Sequence, residues 1–135
     1  MAYKVVDIEG IGKVYGEKLV SAGVVTTEDL LEKCGSPKGR KEISEAVGVE
    51  ASRVLKWTNM ADLFRIKGVS TQYSDLLEAS GVDTIKELAQ RNGDNLAAKM
   101  AEVNEEKKLT RAVPSASMVN EWVAQAKDLP RKITY

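Results

Sequence analysis

Gly10-Ile11-Gly12-Lys13 is the stretch of this chain in which residue types and spacing converge on a recognisable chemistry. Glycine allows a backbone to approach a ligand closely, and the free N–H groups at the start of a helix form a natural anion site. Lys13 and Lys18 add positive charge beside such a site, while Ile11 is expected to turn inward as a core plug. A second stretch, Ile66-Lys67-Gly68-Val69-Ser70-Thr71, keeps the first glycine, puts Ser70 in place of the second and Thr71 in place of the lysine, and leaves Arg65 and Lys67 ahead of the turn. The candidate phosphate-binding set is therefore Gly10, Ile11, Gly12, Lys13 and Lys18, with Lys67 and Gly68 as a weaker counterpart. Acids lie beside both turns (Asp7, Glu9 and Glu17; Asp75 and Glu78) and oppose an anion there. The same glycines serve equally well in a tight interhelical turn that binds nothing.

A secondary basic patch is formed by Lys38, Arg40 and Lys41, with Lys33 just before them, around a predicted helix start. A solvated loop is the alternative reading of such a run. Lys107, Lys108 and Arg111 are diluted by Glu105 and Glu106. Trp57 and Trp122 carry the chemistry for base stacking, but both fall in the apolar periodicity of a helix, which assigns them to packing.

Other chemistries lack material. With no histidine and one cysteine, Ser-His-Asp and Cys-His arrangements and the usual zinc sites are excluded, so no catalytic residue, metal, cofactor or small-molecule substrate is expected. Gly10-Ile11-Gly12 with Gly16 imitates a dinucleotide fingerprint, but its spacing is one residue too long and no βαβ unit surrounds it. Lone Cys34 forms no internal disulfide and suits a reducing compartment. No apolar run is long enough for a membrane span and no signal-peptide pattern is present, which predicts a soluble, cytoplasmic protein. Lys plus Arg and Asp plus Glu are 20 each, so any electrostatic attraction must be local.

The elements that carry these residues are duplicated. At a constant offset, Ile8 matches Ile66, Gly10 matches Gly68, Tyr15 matches Tyr73, Leu19 matches Leu77, Gly23 matches Gly81 and Leu30 matches Leu88. One supersecondary unit therefore occurs twice, which assigns residues 1–63 to a first repeat and 64–135 to a second. Each alone is marginal in size, so the two are expected to pack together or be linked rigidly.

Within the first repeat, an apolar-periodic helix runs from the glycine turn to Gly23, and Thr26 or Thr27 caps a short second helix bearing Leu30 and Leu31. Ser36 and Pro37 open a third helix that Gly48 ends. A fourth carries Val54, Leu55, Trp57, Met60, Ala61 and Phe64. In the second repeat, helices are expected near Thr71 to Ser80, Thr84 to Arg91, Asn95 to Val103 with Asp94 as cap, and Ser117 to Lys127. Val119-Asn120-Glu121-Trp122 corresponds to Val54-Leu55-Lys56-Trp57, but about seven residues further on than the offset allows, which places an insertion in Asn104 to Ser115. The prediction is an all-α protein of about eight helices. Met1 to Lys4 and Pro130 to Tyr135 are expected to be loose ends.

The pattern apolar-x-Gly-apolar-Gly followed by a helix resembles the helix-hairpin-helix motif. Over nearly its full length the chain resembles an uncharacterised family of small prokaryotic proteins, catalogued as a domain of unknown function, with tandem helix-hairpin-helix units. The pieces that carry this likeness are Ile8-Glu9-Gly10-Ile11-Gly12, Trp57-Thr58-Asn59-Met60-Ala61-Asp62-Leu63, Ile66-Lys67-Gly68-Val69, Gly81-Val82-Asp83-Thr84 and Glu102 to Lys108. The resemblance implies a tandem helix-hairpin-helix (SAM/HhH-like) bundle that binds double-stranded DNA without sequence preference, through phosphates at Gly10 to Lys13. A protein-protein adaptor or self-associating scaffold is the alternative, and the neutral net charge favours it.

Overall fold

The computed structural model describes residues 3–8 and 10–134. Glu9, counted above among the acids beside the first turn, and the terminal residues Met1, Ala2 and Tyr135 lie outside the described residues. Among the described residues there are eight α-helices and no strand: α1 Gly12–Ser21, α2 Thr27–Cys34, α3 Pro37–Val47, α4 Ala51–Leu63, α5 Thr71–Ala79, α6 Ile85–Ala89, α7 Gly93–Lys107 and α8 Ala116–Asp128. A single 3-10 turn, Val5–Asp7, precedes α1. Among the described residues no helix is long and apolar enough to cross a membrane.

The chain divides into two compact units, one of residues 1–62 and 131–135 and the other of residues 63–130. The C-terminal segment thus belongs to the first unit and not, as its position in the sequence suggested, to the second. It is tied down there: Thr134 N donates to Gly35 O, Arg40 donates to Thr134 O, and Ile133 is buried. At the other end Lys4 forms an isolated antiparallel bridge with Thr26, Val5 N donates to Val25 O and Thr27 N to Tyr3 O. Neither end is loose where it is described, because both satisfy backbone groups left over at the boundaries of α2.

Local signals explain most helix boundaries. Thr26 accepts from Asp29 N while the Asp29 carboxylate accepts from the Thr26 N–H, a reciprocal capping box at the start of α2. The backbone N–H groups of Thr26 and Val25 hold the Asp29 carboxyl below the usual range. Ser36 caps α3 with Pro37 in its first turn, and Gly48 ends it in the left-handed conformation. In the second unit Ser70, Thr84 and Ser115 cap α5, α6 and α8.

Helix α7 differs from expectation. Its cap is Asn92, which accepts from Asn95 N, and Asp94 instead lies inside the first turn, where its carboxylate accepts from the Asn120 amide. Its far end runs on to Lys107, with Lys108 in the left-handed cap position that Gly48 occupies after α3. Asn104 holds the following loop by exchanging hydrogen bonds with Thr110 N and O. The insertion read from the sequence is therefore shared between a longer helix and the loop behind it.

In the first unit Leu19, Val24, Leu30, Val47, Val54 and Trp57 are buried. In the second, the positions matching five of these, Leu77, Val82, Leu88, Val119 and Trp122, lie with Met100 in one apolar cluster. Fully burying one such side chain contributes roughly 1.5–3 kcal/mol.

Cys34, at the end of α2, is fully buried. Burial pushes its thiol from the ordinary 9.0 up to about 11, with the nearby Arg40 charge and a Thr58 hydrogen bond only partly offsetting the loss of water. The folded state therefore holds the thiol proton where the unfolded chain releases it. Stability should be unaffected by this group below pH 9 and should fall as pH rises through about 11. Urea unfolding of the parent and Cys34→Ala across that window checks it: the parent's loss should be the steeper.

Candidate functional site

Two glycines shape the first turn. Gly10 has φ +90° and Gly12 φ +65°, both in the region L side chains avoid, so the chain enters α1 along a path that needs glycine twice. Ile11 between them is buried, as its role of core plug requires. Beneath the turn lies Trp57 of α4: a Cβ placed on Gly10 lies 4.0 Å from its indole Nε1. Tyr15, half-buried in α1, packs on the same indole with ring centroids 5.6 Å apart.

The second turn repeats the scaffold. Gly68 has φ +96°, a Cβ on it lies 3.1 Å from Trp122 Nε1, and Tyr73 packs on Trp122 at 5.3 Å. Both tryptophans are 2% exposed, so they build the turn's floor and are closed to stacking on a ligand.

The two turns part at the helix start. Among the described residues no side chain caps the N-terminus of α1. At α5 the Ser70 hydroxyl, standing where Gly12 stands in the first unit, accepts from Tyr73 N. The Gln125 amide in addition accepts from Lys67 N and donates to Lys67 O. The second turn thus spends its polar groups on the protein itself. Met60 occupies the position in the first unit that corresponds to Gln125, and it is a buried apolar residue.

The predicted cations fare unequally. Lys13 and Lys18 are exposed, and among the described residues neither has an ion-pair partner. The Lys18 ammonium stands 5.9 Å from the Tyr15 ring centroid. Lys67 is exposed, although its backbone is taken by Gln125. Lys38 and Lys41 are exposed in α3. Arg40, read from the sequence as a member of that patch, is 6% exposed. Its guanidinium donates to Cys34 O at 3.0 Å and Thr134 O at 2.8 Å, fastening the C-terminal segment to the end of α2. It faces inward because those two carbonyls need a donor that reaches both. Arg40→Met should lower unfolding stability by about 1–3 kcal/mol, read in urea, since two carbonyls lose a charged donor. DNA affinity should not change.

Arg53 in α4 was missed by sequence reading. It lies 5.8 Å from the Tyr15 ring centroid and its Nη1 donates to the Tyr15 hydroxyl at 3.4 Å. Tyr15 and Arg53 border a shallow groove of about 460 Å³ that Ser44, Glu45, Gly48 and Glu50 complete. Nothing in the sequence around Arg53 signals this, because the contact joins helices separated by two others. Among the described residues no group of three or more His, Cys, Asp or Glu side chains is placed to hold a metal.

Residues 9–129 match the model of the family described as Domain of unknown function (DUF4332). The chain belongs to that family. The match takes in the first turn from position 9, both tyrosine–tryptophan pairs, the whole of α8 and Leu129 after it. No curated protein and no solved structure matches the chain significantly.

Proposed function

We propose that the two units are tandem helix-hairpin-helix repeats and that the protein is a non-enzymatic module binding the phosphate backbone of double-stranded DNA through the first turn. The observation that carries this reading is the N-terminus of α1, which no side chain caps among the described residues, reached through two positive-φ glycines and flanked by exposed Lys13. Free N–H groups, the positive end of the helix dipole and a lysine together favour a phosphate oxygen. Such contacts fix position on the duplex and carry no direct sequence information. The second turn, with Ser70 and Gln125 on its polar groups and Thr71 in place of the lysine, is assigned a structural role. Titrating the protein into labelled duplex DNA at low and near-physiological salt tests the reading: a steep loss of affinity with salt supports it.

The second reading, a protein-protein adaptor, is favoured by a separate observation. Val6, Val14, Val20 and Val25 are exposed, Val14 at 64%. The corresponding positions in the second unit hold buried Phe64 and the polar residues Gln72, Glu78 and Asp83. Val6 packs over Gly16, which lies one helical turn before Val20 in α1. An apolar surface of this kind is consistent with a partner protein or a second copy of the chain. Salt-tolerant self-association in sedimentation velocity, without DNA binding, would favour this reading over the first.

A further inference from the structure

We propose that Arg53 is a second phosphate-contacting residue, and that Tyr15, whose ring Lys18 also approaches, acts as a positioning residue holding it so that it meets the backbone of the same DNA molecule engaged at Gly10 to Lys13. This inference rests on the DNA-binding reading above and extends its site from α1 to α4.

Two cations are brought onto one aromatic ring, Lys18 at 5.9 Å and Arg53 at 5.8 Å from the Tyr15 centroid. Each is attracted to the ring, and among the described residues neither has a carboxylate at ion-pair distance. Glu45 and Glu50 border the groove that Tyr15 and Arg53 also line, and among the described residues neither pairs with Arg53, which leaves the guanidinium available to a phosphate.

The second unit supplies an internal control. It keeps the tyrosine–tryptophan pair in nearly the same geometry, with centroids 5.3 Å apart and planes at 53°, against 5.6 Å and 50° in the first. The aromatic pair therefore belongs to the fold of either unit. The cations do not: Lys18 corresponds to Leu76, Arg53 to Met118 and Lys13 to Thr71. Leu76 is fully buried, so the fold accepts an apolar residue where the first unit presents an ammonium to solvent. None of the three cations recurs in the second unit, and they occur together on the unit whose helix start has no side-chain cap among the described residues.

The test is fluorescence anisotropy of labelled duplex DNA with the full chain over a series of salt concentrations, using the parent, Arg53→Met, Arg53→Lys and Lys13→Glu. Arg53→Met should weaken binding roughly three- to tenfold and reduce the slope of log affinity against log salt by about one, as loss of one phosphate contact requires, and Arg53→Lys should restore most of both. A merely structural role would lower affinity without that change in slope. Parent-like affinity and slope in Arg53→Met, with Lys13→Glu still defective, would overturn the role of Arg53 and leave the first-turn reading standing. Absence of parental binding at low salt would overturn both.

Discussion

Lys13→Glu is expected to weaken duplex DNA binding by more than about tenfold at low salt and to lower the salt slope by at least roughly one. The charge reversal removes a phosphate contact and puts a carboxylate where the phosphate approaches. The loss should not come from unfolding. Lys13 is exposed, its side chain makes no hydrogen bond among the described residues, and it lies in the first turn of α1, where a carboxylate is favoured by the helix dipole. Thermal unfolding of the variant should therefore match or slightly exceed that of the parent. Thr71→Glu, the corresponding change in the second unit, should leave binding within about twofold, because no phosphate contact is assigned there. Equal losses in both variants would mean that the two turns bind alike and that the asymmetry at Ser70 and Gln125 has no functional weight.

Trp57→Ala should cost about 3–5 kcal/mol of unfolding free energy, the range for deleting a large buried aromatic. The indole is 2% exposed, supports the Gly10 turn from below and is the packing partner of Tyr15. Removing it opens a cavity and frees the side chain that holds Lys18 and Arg53, so DNA binding should fall with stability. Trp122→Ala should show a similar stability loss, since it occupies the same place against Gly68 and Tyr73, but it should leave the binding that remains in the folded fraction unchanged. Urea unfolding followed by circular dichroism, together with hydrogen exchange resolved by unit, separates these outcomes. A cost under about 1 kcal/mol for Trp57→Ala would contradict its place in the core.

Where sequence and structure agree, the governing interactions are local. Ser36 followed by Pro37, Gly48 at the end of α3, and Thr26 three residues before Asp29 are signals whose partners lie within one helical turn. The repeat made the tyrosine–tryptophan scaffold legible, because Tyr15 and Trp57 recur as Tyr73 and Trp122 in apolar periodicity. Competition between equally good local choices misled at α7, where Asn92 and Asp94 are both able caps and Gly93 between them reads as a break. The extension of α7 to Lys107 was hidden for a related reason: Lys108 adopts the left-handed conformation without being glycine, in a turn secured by Asn104 and Thr110.

The candidate site was legible only as far as its backbone. Gly10, Ile11, Gly12 and Lys13 lie consecutively, and their geometry follows from residue type. Arg40 and Arg53 show the limit. A sequence gives both as cations near helix starts, yet one is turned inward to Cys34 and Thr134 and the other outward over Tyr15. That choice is made by carbonyls and a ring far away in the chain, 94 residues in the case of Thr134.

The most direct test of the central claim is an anisotropy titration of the full chain into duplex DNA of arbitrary sequence, from low to near-physiological salt. The account predicts saturable binding that weakens linearly in log affinity against log salt, with similar affinity for unrelated sequences. No binding at the lowest salt, or binding indifferent to salt, would contradict it.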